Sequence, residues 1–189
     1  HLPTDDRGSD RWFTVASAPY EKAVMVTTRL TEKTGSTFKQ ALRALEVGKS
    51  IEISYVEGDF VIDDPEQQYV FIAGGIGITP FHSILKEAHK MDRQLHVRLL
   101  YGNRNEDILF KAELESFAKS NPHLVIQYVI SPKRIDEEAI NTFVPDLNEP
   151  AYYISGPEPM VMSLRDTLKK MGVAEDQIKL DDFPGYTAY

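Results

Sequence analysis

The sequence contains no cysteine, a single tryptophan and no long hydrophobic run. The absence of cysteine excludes disulfides, thiolate nucleophiles and any cysteine-ligated iron–sulfur cluster held by this chain. The longest weakly polar run, Val70–Phe81, is too short to span a bilayer and is interrupted by glycines. Basic residues are scarce, since 21 Lys and Arg stand against 29 Asp and Glu and give a net charge of −8. An acidic chain without a basic stripe is poorly suited to bind nucleic acid or an anionic membrane.

The chain of 189 residues is 42% hydrophobic, which is enough for a sizeable core. Its five histidines are scattered and show no metal-ligand spacing, so the sequence predicts no metal site. His82 follows a glycine-rich loop, where we expect a surface or packing residue rather than an acid or base.

From Tyr69 onward, short β-forming runs alternate with segments of helical spacing. Strands are predicted at Tyr69–Ala73, His96–Tyr101, Val125–Ile130, Ala151–Ser155 and Ile178–Leu180, and helices at Thr79–Met91, Ile108–Ser120, Glu137–Val144 and Glu158–Met171. This alternation predicts a five-stranded, parallel, doubly wound sheet covered on both faces. Such sheets bind ligands at the carboxyl ends of their strands, near the point where strand order reverses.

The first part of the chain has a different rhythm. Strands are predicted at Trp12–Ala16, Ala23–Arg29 and Ser50–Val56, and one helix at Thr37–Leu45 with Ser36 as its N-cap. This pattern is typical of an antiparallel barrel or sandwich with one helical insert. So few strands do not close a barrel, so we expect further strands upstream. A polar, proline-bearing linker near Asp63–Glu66 divides the chain into domains 1–64 and 65–189.

A glycine-rich loop joins the first strand of the second domain to its helix. Gly74, Gly75 and Gly77 permit positive φ and leave room for a phosphate. Thr79 is predicted to cap the helix and Pro80 to occupy its first position, so that the helix N-terminus faces the loop. The loop therefore indicates a nucleotide phosphate site, with a tight turn that binds no ligand as the alternative.

Two further motifs make a shared ligand more plausible than two ordinary turns. Ser155–Met160 is a second glycine–proline turn, and it opens a helix at the same edge of the sheet. Arg11, Phe13 and Thr14 put a cation, an aromatic ring and a hydroxyl on one predicted strand. By strand alternation, Arg11 and Phe13 share a face and Thr14 points the other way. The alternative for this segment is an edge strand with a solvated arginine.

Together these motifs resemble the ferredoxin–NADP reductase family. The family pattern Arg-x-aromatic-Ser/Thr is similar to Arg11–Thr14, Gly-Gly-x-Gly-x-Thr-Pro to Gly74–Pro80, and Gly-Pro-x-x-Met to Gly156–Met160. Tyr101–Arg104 matches the strand end that the family places beside adenosine. Asp182–Gly185 resembles bacterial reductase modules, some of which are fused to membrane redox domains. The resemblance implies a partial antiparallel Greek-key FAD-binding barrel before the parallel nucleotide-binding domain.

The resemblance also implies a set of FAD contacts. Arg11 would hold the pyrophosphate, Phe13 and Val15 would lie along the flavin segment, and Thr14 would approach flavin N5. The remaining implied FAD contacts are Thr27, Thr28, Arg29, Gly35, Ser36 and Thr37. For Ser36 and Thr37 simple helix capping is the alternative, and both roles are compatible.

The contacts implied for the nicotinamide nucleotide lie at the sheet edge. They are Gly75, Gly77, Thr79, Pro80, Asn103, Arg104, Gly156, Pro157 and Met160. Arg104 favours a 2′-phosphate, but Glu106 and Asp107 repel it, and we therefore favour NADH over NADPH.

The residues expected to act in catalysis are Thr14, Ser155 and Asp182. Ser155 stands where many relatives carry cysteine, and Asp182 where relatives place an acidic residue near the flavin. Phe183, Tyr186 and Tyr189 are alternatives for the ring that covers the flavin, and packing is an equal alternative for each.

These features imply a module that passes a hydride from NADH or NADPH to FAD and then electrons to a separate acceptor. The acceptor is another protein, a fused redox domain or a small molecule, and no nucleic acid is expected as a partner. The expected compartment is the cytoplasm or, with a membrane redox domain upstream, the cytoplasmic face of a membrane. The alternative is a nucleotide-binding or interaction module without turnover.

Overall fold

Runs of buried, β-forming residues assemble into a parallel sheet. The computed structural model describes residues 11–30, 36–53 and 55–183. The strands are β1 (Gln68–Gly74), β2 (His96–Asn103), β3 (Leu124–Ile130), β4 (Ala151–Pro157) and β5 (Ile178–Phe183). The helices are α1 (Thr37–Ala44), α2 (Thr79–Lys90), α3 (Lys111–Ser120), α4 (Glu137–Phe143) and α5 (Glu158–Lys170). Every predicted element of the second domain is present, so the prediction of a five-stranded parallel sheet is confirmed.

The sheet is covered on both faces, which explains why its central strands are apolar without interruption. Along β1, Tyr69 and Phe71 belong to one buried cluster, whereas Val70 and Ile72 belong to the other. This division follows the period of two by which neighbouring side chains of a strand point to opposite faces. The first cluster also takes buried side chains from α2 and α3, and the second from α4 and α5.

The strand order β3-β2-β1-β4-β5 indicates where along the sheet edge a ligand crevice is expected. The chain moves outward from β1 to β2 and β3, and then returns to the other side of β1 with β4. The order therefore reverses between β1 and β4, whose register pairs Ala73 with Ser155. Open parallel sheets bind ligands beside the carboxyl ends at such a reversal. The two predicted glycine turns follow these two strand ends.

The predicted strands of the first domain are not formed as regular strands. Within the described residues of 12–16, 23–29 and 50–56, the ladder is reduced to one antiparallel bridge, Val15 to Val26. The reason is that β structure gains its stability from hydrogen-bonded neighbours, and these segments find almost none among the described residues. The predicted helix is present as α1, and Ser36 caps it by accepting a hydrogen bond from the Lys39 amide at 3.3 Å.

The linker is fixed to the sheet by two tyrosines and a lysine. The Tyr69 hydroxyl donates to the Asp64 carbonyl at 2.6 Å, and the Tyr153 hydroxyl donates to the Val61 carbonyl at 2.6 Å. Lys179 forms an ion pair with Asp63 at 2.6 Å. Within the described ranges, no helix combines the length and the apolar character that crossing a bilayer requires.

The core packing leads to a test of stability. Phe71 is fully buried and its ring stacks on Phe81 with 4.5 Å between centroids. Phe71→Ala should lower the free energy of unfolding by about 3–5 kcal/mol, because it leaves a cavity that the sheet cannot collapse to fill. Val125→Ala on the half-exposed side of β3 is the control, and it should cost about 0.5 kcal/mol or less. Equal midpoints of urea unfolding for Phe71→Ala and Val125→Ala would contradict the assignment of Phe71 to the core.

Candidate functional site

The loop after β1 is a short 3-10 helix, Gly75–Ile78, that continues directly into α2. Gly75 has φ of 56°, a conformation that glycine adopts without strain. The prediction that Thr79 caps α2 is wrong, because the preceding turn is already helical and Ile78 takes the capping position. The Thr79 hydroxyl instead donates back to the Ile76 carbonyl at 3.0 Å. Pro80 lies in the first turn of α2, as expected, at its second residue.

Packing against the neighbouring turn requires glycine at positions of both loops. A Cβ atom on Gly77 would overlap the Ser155 carbonyl oxygen and would lie 2.7 Å from the Gly156 Cα. Met160 lies across both turns, because a Cβ atom on either Gly74 or Gly156 would collide with the end of its side chain. The two predicted motifs are therefore in direct contact at the reversal of strand order.

The structure brings Thr14 and Ser155 to one carboxylate, that of Asp181. The Ser155 hydroxyl donates to Asp181 Oδ2 at 2.9 Å, and the Thr14 hydroxyl donates to the same oxygen at 3.1 Å. Ser155 is fully buried. Thr14, which precedes the sheet in the chain by more than 50 residues, is thus joined to the sheet edge by a shared acceptor.

Asp181 is the acid that contacts Ser155 and Thr14, and the role of Asp182 near a flavin stays a prediction. The parallel pairing of β4 with β5 puts Asp181 opposite Ser155 and moves Asp182 one residue along, opposite Gly156. Burial raises the pKa of Asp181, the hydroxyls of Ser155 and Thr14 partly offset this rise, and the charge of Asp182 adds to it. The register between β4 and β5 decides which of the two adjacent aspartates lies opposite Ser155, and local sequence patterns do not predict this register.

A second contact joins the domains at the glycine loop. A Cβ atom on Gly75 would lie 3.7 Å from the Arg29 guanidinium. The Gly75 carbonyl accepts a hydrogen bond from the Tyr101 hydroxyl at 3.0 Å. Burial raises the pKa of Tyr101 far above its usual range, so the hydroxyl keeps its proton and remains a donor. Arg29 therefore lies at the mouth of the loop, where a phosphate would be its natural counter-ion.

The first motif lies against the beginning of α1. The Phe13 and Phe38 rings are 6.1 Å apart, and the Arg11 guanidinium lies over the Phe38 ring at 5.1 Å. Arg11 is thereby placed near the N-terminal turn of α1, where Ser36 and Thr37 begin the helix. The sequence analysis did not include Phe38, which is buried in the first turn of α1. An aromatic residue on the apolar face of a predicted helix is a sequence feature that could have indicated it.

Two of the predicted contact residues carry polar atoms that suit a ligand. The hydroxyl of Thr28 is shielded from solvent and hydrogen-bonds to nothing among the described residues. The amide nitrogen of Asn103 is also shielded, and it lies near the Tyr101 hydroxyl without a well-formed hydrogen bond. Buried polar groups normally have a partner, so an orphaned donor at a crevice indicates a missing one. The Tyr128 hydroxyl has the same property and was not predicted. These atoms fit a polar cofactor.

Other predicted residues lie at the margin of this cluster or outside it. Arg104 is exposed beside Glu106 and Asp107, Thr27 and Phe183 are partly buried, and Val15 is exposed at the bridge to Val26. Pro157 is the N-cap residue of α5. Gly35, Tyr186 and Tyr189 lie outside the described residues. Among the residues that are described, no group of three His, Asp or Glu is arranged to hold a metal.

The sequence profile of the family described as oxidoreductase NAD-binding domain matches residues 71–166. This chain belongs to that family. The match runs from β1 into α5 and includes both glycine turns. Together with the relatives, it confirms the predicted resemblance to ferredoxin–NADP reductases and the oxidoreductase class.

Several curated proteins are similar to the chain. It is 33% identical to the NADH nitrate reductase of Ulva prolifera over 73% of this chain and 19% of that protein. It is 28% identical to the ferredoxin reductase component of the 3-ketosteroid-9-alpha-monooxygenase of Mycobacterium tuberculosis H37Rv, over 96% of this chain and 52% of that protein. The chain thus spans about half or less of the length of these relatives.

Solved structures share the fold. A mutant ferredoxin–NADP⁺ reductase from Plasmodium falciparum in complex with 2′P-AMP superposes with a TM-score of 0.79, at 22% identity over 96% of this chain and 79% of that one. The flavohemoglobin of Malassezia yamatoensis, which has bound FAD and heme, superposes with a TM-score of 0.76, at 22% identity over 92% of this chain and 46% of that one.

The contact at Gly77 gives a test of the loop. Gly77→Ala should destabilise the protein by about 1–3 kcal/mol, because the new methyl group meets backbone that has no room to move. It should also weaken NADH binding by about tenfold, because the loop is displaced from the crevice. Gly102→Ala is the control, since its Cβ atom would lie 3.3 Å from the flexible end of Ile135. If titration calorimetry gave both variants the wild-type affinity for NADH, the assignment of the loop to the nucleotide site would be contradicted.

The buried Asp181 gives a test by pH. Because its pKa is raised in the folded state, folding favours the protonated form of Asp181. The contribution of this form to the free energy of unfolding is lost as the pH rises through the folded-state pKa. Asp181→Asn stays neutral and keeps an acceptor oxygen for the hydroxyls. The melting temperature of this variant should therefore rise relative to wild type between acid and neutral pH.

Asp182→Asn is the matched control for that measurement. Its effect on the pH dependence should be smaller, since Asp182 contributes to the pKa of Asp181 only through its charge. The same pH dependence of melting in wild type and in Asp181→Asn would show that the carboxylate is not held in a desolvated position.

Proposed function

We propose that this chain is the reductase module of a flavoprotein that oxidises NADH or NADPH. The observation that carries the proposal is the shared Asp181 carboxylate, which joins Thr14 of the flavin motif to Ser155 beside the nucleotide loop. Two domains that bind different cofactors must present them to each other at one place. The Thr14–Asp181–Ser155 contact gives that place a fixed geometry.

When both are bound, NAD(P)H supplies a hydride to FAD, which then releases electrons to an acceptor. The residues of this chain position the reactants. Gly75 and the N-terminal turn of α2 face the nucleotide phosphates, and Arg29 lies beside Gly75 to balance their charge. Thr14 and Ser155 are oriented by Asp181, so their oxygens keep one position instead of rotating. Fixed positions of this kind lower the entropic part of a reaction barrier.

For FAD, the proposed contacts surround the first turn of α1. Arg11, held over Phe38, is placed to bind the pyrophosphate together with the backbone amides of that turn. Phe13 supplies an aromatic surface beside Phe38, and the orphaned hydroxyl of Thr28 supplies a donor. On the nucleotide side, the shielded amide of Asn103 beside the Tyr101 hydroxyl is placed to donate to the ribose.

Residues 1–64 are proposed to belong to the flavin-binding barrel and residues 65–189 to the nucleotide domain. The antiparallel bridge of Val15 to Val26 supports a barrel arrangement of the first segment. So does the exposure of apolar side chains along it, since Trp12, Ile53 and Val56 are each at least 66% exposed. Adjacent strands of a barrel would cover such side chains.

NADH is the proposed nucleotide, because Glu106 and Asp107 lie beside Arg104 and oppose a 2′-phosphate. The proposed acceptor is separate from this chain, since two relatives are named as a nitrate reductase and as the reductase component of a monooxygenase. The proposed location is the cytoplasm or the cytoplasmic face of a membrane.

An anaerobic visible spectrum of the purified protein with FAD tests this function. Bound flavin should lose its absorbance after addition of NADH, and more slowly after NADPH. Arg11→Gln should weaken FAD binding by about tenfold or more, because it removes a charged contact to the pyrophosphate. Arg43→Gln is the matched control, since Arg43 is exposed in the last turn of α1, at the end of the helix away from Arg11.

The other outcomes of this experiment discriminate between functions. Faster loss of absorbance with NADPH would reverse the nucleotide preference. Bound flavin that keeps its absorbance with both nucleotides would contradict the reductase function. Binding of NADH without any binding of FAD would favour a nucleotide-binding module without turnover.

A further inference from the structure

His82 is a buried, polar side chain that the proposed mechanism does not use. Its ring is fully buried on α2 and stacks on Phe110 with 3.8 Å between centroids. Nδ1 lies 2.7 Å from the carbonyl oxygen of Ala16, and Nε2 lies 3.2 Å from a carboxylate oxygen of Glu113 on α3. The expectation of a packing residue is thus correct, but this residue also forms polar contacts with the first domain.

Both partners of the His82 ring are hydrogen-bond acceptors. A backbone carbonyl has no proton to donate, and an ionised carboxylate has none either. A neutral imidazole has one N–H and therefore satisfies only one of them. The contact to the Ala16 carbonyl is the shorter of the two, so a proton on Nδ1 gives this carbonyl its donor.

The same face of α2 binds the residues that follow Ala16. The Ser83 hydroxyl donates to the Ser17 carbonyl at 2.7 Å, and Lys86 forms an ion pair with Glu21 at 2.8 Å. We call residues 16–21 the docking segment. His82 is the contact at its beginning and the most deeply buried of the three α2 side chains.

The docking segment is continuous with Thr14. The Ala16 amide donates to the Met25 carbonyl at 2.8 Å, while its carbonyl meets His82, so both polar groups of this residue are fixed. Thr14 lies two residues earlier and reaches Asp181 at 3.1 Å. A shift of Ala16 along α2 would therefore move the Thr14 hydroxyl away from its acceptor.

We propose that His82 is a positioning residue, which fixes the docking segment on α2 and thereby holds Thr14 at the hydride-transfer site. This inference rests on the proposed function for its catalytic consequence, but the fixing of the segment is independent of any cofactor. His82 acts through Ala16 and touches none of the reacting groups.

The charged groups that face His82 are Glu113 of α3, Lys86 of α2 and Glu21 of the docking segment. Lys86 is 2.8 Å from Glu21 and 3.8 Å from Glu113, so it links both carboxylates. The contacts of His82 and Lys86 therefore join α2, α3 and the docking segment at one place.

Hydrogen exchange followed by mass spectrometry tests the fixing of the segment without flavin or nucleotide. The amides of Ala16, Ala18, Glu21 and Met25 are hydrogen-bonded, so the peptide that contains them should be protected. His82→Gln should lower its protection factor by about tenfold, the loss expected for one to two buried hydrogen bonds. His89→Gln, on the same helix but bonded to Ser120, should leave it unchanged. Equal protection in both variants would overturn the proposal.

Glu113→Gln decides the matter even if His82→Gln does not fold. The amide side chain that this substitution introduces offers an N–H donor, so a neutral ring can donate to Ala16 and accept from the new amide. Protection of the docking segment in Glu113→Gln should stay within about twofold of wild type, because the contact between His82 and Ala16 is kept. A tenfold loss of protection in Glu113→Gln would overturn the role assigned to His82, since it would place the fixing of the segment on the Glu113 charge.

Kinetics then separate this inference from the proposed function. In His82→Gln the rate constant for flavin reduction should fall about tenfold with the KM for NADH within about twofold, because positioning is lost and nucleotide contacts are not. Loss of protection with no flavin reduction in wild type would contradict the proposed function and leave the docking role intact. Normal reduction in His82→Gln with reduced protection would overturn the link to Thr14.

Discussion

The contact between the glycine loop and the end of β4 is the constraint on which the site depends. Gly77 packs on the backbone of Ser155 and Gly156 so closely that no Cβ atom fits. This contact sets the distance between the two turns at the reversal of strand order. Because α2 begins directly after the loop, the same contact fixes the start of the helix that carries His82 and docks the first domain.

The two glycine turns therefore have two roles that do not compete. Glycine leaves space above the helix N-terminus for phosphate, and it lets the loop lie on the neighbouring strand. We propose the first role for Gly75, since it has positive φ and faces Arg29. Gly77 serves the second. A motif read only as a phosphate loop would assign both glycines to the ligand.

The sequence predicts those features that local patterns control. Alternating apolar runs and helical spacing predict the sheet, and Ser36 is the N-cap of α1 as predicted, whereas Pro80 lies one residue after its predicted position. The sequence could not identify Asp181 as the partner of Ser155 and Thr14, because that contact depends on the register of β5 against β4. It could not identify the partners of His82 either, since Ala16 and Glu113 lie 66 and 31 residues away. Long-range contacts of this kind leave no signal in local periodicity.

The consequence of this architecture is that Thr14 is constrained from two directions by elements at one edge of the sheet. Asp181 binds Thr14 from β5, and α2 holds the segment after Thr14 through Ala16. A change in the glycine loop that tilts α2 would therefore be transmitted to Thr14 through His82. Under the proposed function, the geometry of hydride transfer would then depend on this docking as much as on the residues that touch the cofactor rings.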